Sequence, residues 1–325
     1  MGFNVYVTRR IPDESIRLLQ DACETVAVNP HDRALTRGEF LESVRGRDGL
    51  LCLLTETIDD EALDAAKGIR GVSNYAVGYN NIHVDACTRR GIPVSNTPGV
   101  LTDTTADLAW ALIFAVARRV VEGHLMVSEG RFTGWGPLMM LGSEITGKTL
   151  GIVGGGRIGT ATAARAAGFQ MNVLYTRRNR NADIESIGAQ YRRLDDLLRE
   201  SDYVSIHVPL NRETTHLIGA RELALMKPGA FLINTARGPI VDEKALVAAL
   251  NERRIAGAGL DVFEREPELE PGLAELDNVV LLPHVGSATV ETRIKMGNTA
   301  AVNLIAMLKG EAPPNCVNPE WKNHR

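Results

Sequence analysis

Glycines 154, 156 and 159 fall in Gly154-Gly155-Gly156-Arg157-Ile158-Gly159, behind the apolar run Leu150-Gly151-Ile152-Val153 and ahead of the Ala-rich stretch 160–167. Strand, glycine turn and helix at G-x-G-x-x-G spacing suit a dinucleotide. Gly154 allows the tight turn, Gly156 lets backbone approach a pyrophosphate, and Gly159 lets helix and strand pack closely. The phosphates then sit at a helix N-terminus, where unpaired N–H groups and the helix dipole favour anions. A bare glycine pattern arises by chance in a chain with 31 glycines. The flanking strand and helix give this one its weight.

Selectivity for the nucleotide should be written at the end of the next strand, Asn172-Val173-Leu174-Tyr175-Thr176. NAD sites usually carry an acidic residue about 20 residues past the turn. Here position 177 − 159 = 18 past the last glycine holds Arg177, followed by Arg178, Asn179 and Arg180. Guanidinium groups bind a 2′-phosphate through paired, charge-assisted hydrogen bonds, whereas a carboxylate repels it. NADP(H) is therefore the preferred cofactor on this reading, with NAD(H) left open.

Hydride chemistry also needs a substrate anchor and a proton donor. Arg237, in Asn234-Thr235-Ala236-Arg237-Gly238-Pro239, follows a strand and suits a bidentate grip on a small carboxylate. His284, in Leu282-Pro283-His284-Val285-Gly286, and His207, in Ile206-His207-Val208-Pro209, both follow apolar strands. Residue types alone do not choose between the two as proton donor. No H-E-x-x-H or comparable ligand set occurs, so no metal is expected.

The elements that must position these groups alternate along the chain. Strands are expected at 3–8, 24–28, 49–54 and 72–76, with helices at 12–22 and 36–44. Leu54 and the loop Val77-Gly78-Tyr79-Asn80-Asn81 lie past strand carboxyl ends, where parallel sheets bind ligands. One long helix is expected from Thr102 or Asp103 through Arg118-Arg119 toward Ser128, apolar nearly all round at 109–115. Residues 135–141 read as an irregular apolar loop, either core or a dimer arm. Strands recur at 171–175, 203–208, 230–235, 255–261 and 279–282, an alternation that predicts a doubly wound parallel sheet. A last helix, 289–308, has room to pack back on the first unit.

Composition bounds the possibilities. A chain of 325 residues suggests two domains, and 44% hydrophobic with 23% charged residues suffices for real cores. A formal charge of −4 gives no reason to expect a nucleic-acid or membrane-surface partner. The longest apolar run, 109–117, is far too short to span a bilayer. The N-terminus enters a strand without a signal-peptide pattern. Cys23, Cys52, Cys87 and Cys316 form no C-x-x-C pair and read as reduced thiols, so a cytoplasmic location is expected.

An ordered set of motifs carries a resemblance: Val77-Gly78-Tyr79-Asn80-Asn81-Ile82, Pro98-Gly99-Val100-Leu101-Thr102, Gly154 to Gly159, Asn234 to Pro239, Leu260 to Phe263 with Glu266-Pro267, and Pro283-His284-Val285-Gly286-Ser287. Together they resemble the D-2-hydroxyacid dehydrogenase family, most closely its glyoxylate/hydroxypyruvate reductases, over nearly the whole chain. The resemblance implies an α/β protein of two Rossmann-like, doubly wound parallel-sheet domains with the active site in the cleft between them. It implies a substrate domain of residues 1–98 and 290–325, an NADP(H)-binding domain of 99–289, and a homodimer built on the nucleotide domain.

Residue by residue, the resemblance puts the catalytic His on His284 rather than His207, the Glu on Glu266 and the Arg on Arg237. Val77 and Gly78 fall on the loop that contacts the substrate carboxylate, with Leu54 also facing substrate, and Asp261 falls near the nicotinamide carboxamide. Arg177 to Arg180 match the segment that binds the adenosine phosphate in NADPH-using members. Gly154, Gly156, Arg157, Ile158, Gly159, Pro209, Thr235, Ala236 and Gly286 complete the implied cofactor contacts. The implied activity is reduction of glyoxylate or hydroxypyruvate to the D-2-hydroxy acid, with His284 donating a proton and Glu266 favouring its charged form. A 3-phosphoglycerate dehydrogenase shares these motifs, but 325 residues leave no room for the regulatory domain many carry. Formate dehydrogenases lack the acid–base Glu. A dinucleotide-sensing co-repressor keeps the scaffold but binds protein partners instead of turning over a keto acid.

Overall fold

Short runs rich in Val, Ile and Leu form two all-parallel sheets in the computed structural model, which describes residues 2–324. The first holds β1 (Asn4–Val7), β2 (Thr25–Val28), β3 (Gly49–Cys52), β4 (Gly71–Asn74) and β5 (Val94–Ser95), in the order β2-β1-β3-β4-β5. The second holds β6 (Thr149–Val153), β7 (Asn172–Thr176), β8 (Gln190–Tyr191), β9 (Tyr203–Ile206), β10 (Phe231–Asn234), β11 (Gly257–Leu260) and β12 (Val279–Leu281), in the order β12-β11-β10-β9-β6-β7-β8. Each order reverses once, which is the doubly wound arrangement with a ligand crevice expected at the switch point. Residues up to Leu101 together with those from Ser287 onward make one unit, and Thr102–Gly286 makes the other.

In the first unit, Tyr6, Leu50, Cys52, Val72 and Val94 pack one face of the sheet against Phe40, Leu63 and Ala86. The helix Val290–Leu308 covers the opposite face, where Ser73 Oγ donates to the Ala300 carbonyl at 2.8 Å. A methyl group on Gly71 would come within 2.6 Å of Met307, so glycine there allows this helix its close approach. In the second unit, successive residues of β10 point to opposite faces. Leu232 joins Val204, Leu223 and Leu246 on one side, while Phe231 and Ile233 join Trp110, Leu112 and Ala163 on the other.

Register in the second sheet aligns Thr176, Val153, Ile206, Asn234, Leu260 and Leu281 across neighbouring strands. The residues that follow them, Arg177, Gly154, His207, Thr235, Asp261 and Leu282, therefore leave the sheet along one carboxyl edge. Backbone pairing alone assembles the candidate groups there.

Two expectations change. The single helix expected over 102–128 is two, Thr102–Ala117 and Val120–Ser128, broken at Arg119 with φ +53°. The Ala117 carbonyl, needed to continue the helix, instead accepts from the Ser143 N–H at 2.8 Å. Arg119 holds the corner through Glu122 and the Leu141 carbonyl. In the 135–141 loop, Trp135 and Leu138 are each 81% exposed, which excludes the core reading of that loop. All four cysteines are free, with Cys52 and Cys87 buried. No helix among the described residues is long and apolar enough to cross a membrane.

Candidate active site

The glycine turn after β6 has the physical properties a dinucleotide requires. Gly154 has φ +108°, and a Cβ there would lie 2.6 Å from the His207 carbonyl carbon. A Cβ on Gly159 would lie 2.1 Å from the Gly154 oxygen, so helix Arg157–Arg165 can start against the strand only through glycine. Gly156 differs, because nothing lies within 4 Å of where its Cβ would be. Two glycines are thus fixed by internal packing, and the third faces open space. Among the described residues, the buried hydroxyls of Thr160 and Thr235 have no hydrogen-bond partner. Orphaned buried hydroxyls are uncommon, and these two lie at the turn and at the end of β10. The residues present fit a bound nucleotide.

Past β7 the arginines are not equivalent. Arg178 pairs with Glu213, and Arg180 Nε lies 2.7 Å from Glu185 Oε1 with its guanidinium over the Tyr191 ring. Arg177 is exposed and has no charge partner among the described residues, and the same holds for Arg157. Of the strip read from the sequence, only Arg177 is uncommitted to a carboxylate. Asn179 is exposed beside it, and Pro209 follows β9, its carbonyl accepting from Thr214 Oγ1 at 2.6 Å.

On the other side of the switch point, Arg237, Glu266 and His284 come together. The Asn234 side chain closes the turn after β10: its Oδ1 accepts from the Ala236 N–H at 3.0 Å, and its Nδ2 donates to the Arg237 carbonyl at 2.9 Å. Gly238 then presses against the next connection, where any Cβ would lie 1.8 Å from the Phe263 carbonyl carbon. That contact brings the Arg237 turn against the turn carrying Glu266. Burial pushes the Arg237 guanidinium below its ordinary value, opposed by the charge of Glu266.

Glu266 and His284 are in direct contact, with Nδ1 to Oε2 at 2.8 Å and side chains 36% and 31% exposed. Burial pushes the Glu266 carboxyl up. The His284 hydrogen bond and charge, the Phe263 N–H and the Arg237 charge outweigh it, and the net shift is downward. The ionised carboxylate can only accept, so Nδ1–H donates to it and Nε2 has no partner among the described residues. His284 itself stands at φ +56°, a conformation non-glycine residues adopt rarely.

The His284 loop is held by Asp261, which is 1% exposed and accepts from the Val285 and Gly286 N–H groups, both at 2.7 Å. Burial raises its carboxyl, countered by those two N–H groups and by His284. His207, the rival histidine, makes a 2.9 Å contact with Ser205 Oγ, and enclosure of its ring pushes it down to about 3. A ring held neutral cannot supply a proton near neutral pH. Of the two histidines, His284 is the one paired with a carboxylate.

Residues 110–286 match the family described as D-isomer specific 2-hydroxyacid dehydrogenase, NAD binding domain. The chain belongs to that family. A glyoxylate reductase of Thermococcus litoralis is 52% identical over 321 residues, covering 97% of each chain. Among solved structures, a glyoxylate reductase from Paecilomyes thermophila has a TM-score of 0.87 at 35% identity, covering 98% of this chain and 99% of that one. An NADPH-dependent glyoxylate/hydroxypyruvate reductase from Sinorhizobium meliloti, solved with NADP and malonate, has a TM-score of 0.86 at 32% identity, covering 98% and 97%.

In this dehydrogenase, sequence reasoning passed over three residues that shape the site. Asn234 and Gly238 stand in the quoted Asn234-to-Pro239 motif, and a polar residue ending an otherwise apolar strand was the available signal. Thr160 had none, since its hydroxyl matters only because the fold leaves it buried without a partner. Leu54, Val77 and Gly78 lie in the first unit, half-buried on the loops after β3 and β4. No group of three or more His, Cys, Asp or Glu able to hold a metal ion occurs among the described residues.

Proposed function

We propose that this chain reduces a small 2-keto acid, glyoxylate or hydroxypyruvate, to the corresponding D-2-hydroxy acid. The observation that carries the reading is the 2.8 Å His284–Glu266 contact, which holds a proton on Nδ1 and leaves Nε2 for the substrate. The names of the relatives agree with this substrate class. A bound NADPH supplies the hydride. Gly154, Gly156, Arg157, Ile158 and Gly159 would cradle its pyrophosphate, with Pro209, Thr235, Ala236, Asp261 and Gly286 further along the same edge.

The chain's own residues do the rest. Arg237 holds the substrate carboxylate and fixes the keto group in reacting position. Val77 and Gly78 offer N–H groups to a carboxylate. His284 Nε2–H protonates the oxygen as negative charge develops on it, and Glu266 stabilises the imidazolium from the opposite nitrogen. Leu54 borders the substrate side chain. Arg177, exposed and without a charge partner among the described residues, supports NADP(H) over NAD(H), because a 2′-phosphate would satisfy it.

We further assign a cytoplasmic homodimer. Val127, Phe132, Trp135, Leu138 and Leu141 are exposed apolar residues within one short stretch, which supports burial of this segment against a second copy. Four free cysteines suit a reducing compartment. Sedimentation of the wild type beside Leu138→Asp tests the assembly, and identical monomeric profiles would refute it.

The decisive experiment is initial-rate reduction of glyoxylate, hydroxypyruvate and pyruvate, each with NADPH and NADH. Turnover of either of the first two, faster with NADPH, is expected. Strong NADH preference removes the role given to Arg177 and leaves the proton-transfer reading intact. Nucleotide binding without turnover of any keto acid points instead to a binding protein on the same scaffold.

A further inference from the structure

In the loop after β4, three successive peptide carbonyls are tied in place. The Ala76 carbonyl accepts from the Thr97 N–H at 2.9 Å, the Val77 carbonyl from Asn96 Nδ2 at 2.8 Å, and the Gly78 carbonyl from Asn74 Nδ2 at 2.8 Å. A trans peptide is planar, with its N–H opposite its C=O. Fixing those carbonyls therefore turns the N–H groups of Val77, Gly78 and Tyr79 the other way. None of the three donates to any described residue. Consecutive N–H groups left unpaired in this way are donors that an anion can satisfy.

The amides that tie the carbonyls are themselves fixed. Asn74 is fully buried, and its Nδ2 also lies 3.4 Å from Asn81 Oδ1. The backbone of Asn96 is held by Asn303 Nδ2 and the Asn315 carbonyl. Asn81 Nδ2 donates to the Leu53 and Glu56 carbonyls at 2.9 and 3.0 Å, locking this loop to the one that presents Leu54. Glu56, buried, closes that second loop by accepting from the Leu53 N–H.

We propose that Asn96 and Asn74 are positioning residues that aim the Gly78 and Tyr79 N–H groups at the substrate carboxylate, so that Tyr79 supplies a third donor beside Val77 and Gly78. The inference rests on the keto-acid reading given above. Neither asparagine touches substrate; each acts through the carbonyl it holds.

Asn96→Ala is the working variant, because Asn96 is only half-buried, and Asn74→Ala is a companion if it folds. Glyoxylate kinetics with NADPH, oxalate binding by calorimetry in the presence of NADP, and thermal unfolding are measured on wild type and variant. Loss of one net hydrogen bond's worth of carboxylate binding predicts a roughly five- to tenfold rise in glyoxylate KM. The oxalate dissociation constant should rise in step, with kcat, the KM for NADPH and the unfolding temperature unchanged. Unchanged glyoxylate KM and oxalate affinity overturn the proposal, as does a parallel decline of every parameter with stability. A wild type that binds oxalate but turns over no keto acid overturns the proposed function instead, and oxalate affinity in the variant still decides the role of Asn96.

Discussion

Replacing Glu266 with glutamine keeps the side chain's shape and its ability to accept from His284 Nδ1–H, but removes its charge. Two unit charges about 4 Å apart interact by about 1 kcal/mol in water and about 4 kcal/mol at the effective dielectric near a protein surface. Each partner of the 2.8 Å pair is roughly a third exposed, at 36% and 31%, so the lower half of that range applies. A loss of about 1.5 to 2 kcal/mol is roughly a 10- to 30-fold loss in rate, at about 1.4 kcal/mol per tenfold. The carboxylate of Glu266 balances the positive charge of the proton that His284 gives to substrate. Its removal should lower kcat/KM for keto-acid reduction by about that factor. The assay is kcat/KM for glyoxylate reduction, with thermal unfolding of the variant confirming that the fold persists. A variant within about twofold of wild type would refute the assignment of Glu266 as the charge partner of His284.

Arg177→Ala should raise the KM for NADPH roughly 10- to 100-fold, the value of a charge-assisted hydrogen bond, and leave the KM for NADH nearly unchanged. Equal changes with both cofactors would show that Arg177 does not read the 2′-phosphate. His207, pushed down to about 3 by enclosure, binds no proton in the folded state between about pH 6.5 and pH 3, whereas the unfolded chain does. Its contribution to stability is therefore complete above pH 6.5 and lost as pH falls, by about 3 kcal/mol at pH 4. Urea unfolding at pH 7 and pH 4 should show His207→Gln losing less stability than wild type by that margin, and equal losses would refute it. Gly238→Ala places a methyl group 1.8 Å from the Phe263 carbonyl carbon, so the Glu266 turn must shift. A displacement near 1 Å predicts a fall of about 10²-fold in kcat/KM, and near-wild-type kinetics would show that the turn yields without consequence.

Local chemistry was legible where it was self-contained. The Gly154-to-Gly159 turn could be read because strand, turn and helix are contiguous and the steric demands on Gly154 and Gly159 arise within a few residues and the neighbouring strand. The alternation of apolar strands with helices over 171–282 likewise predicted a doubly wound parallel sheet, and the family resemblance implied the second one. The helix break at Arg119 was not legible, because the Ala117 carbonyl is captured by Ser143, and nothing in the 102–128 sequence announces that competitor.

The sequence by itself determined the two parallel sheets, the placing of loops at their carboxyl ends, and the set of side chains able to do hydride and proton chemistry. Those properties follow from local steric preference and apolar patterning, which act over a few residues. Tertiary structure alone decided which of those side chains are committed. It gave Glu266 to His284 and enclosed His207, and it paired Arg178 and Arg180 with carboxylates while leaving Arg177 with none among the described residues. It also turned the Val77 and Gly78 carbonyls toward Asn96 and Asn74. Charge state, hydrogen-bond partner and peptide orientation depend on groups distant in the chain, and only folding brings those groups within reach.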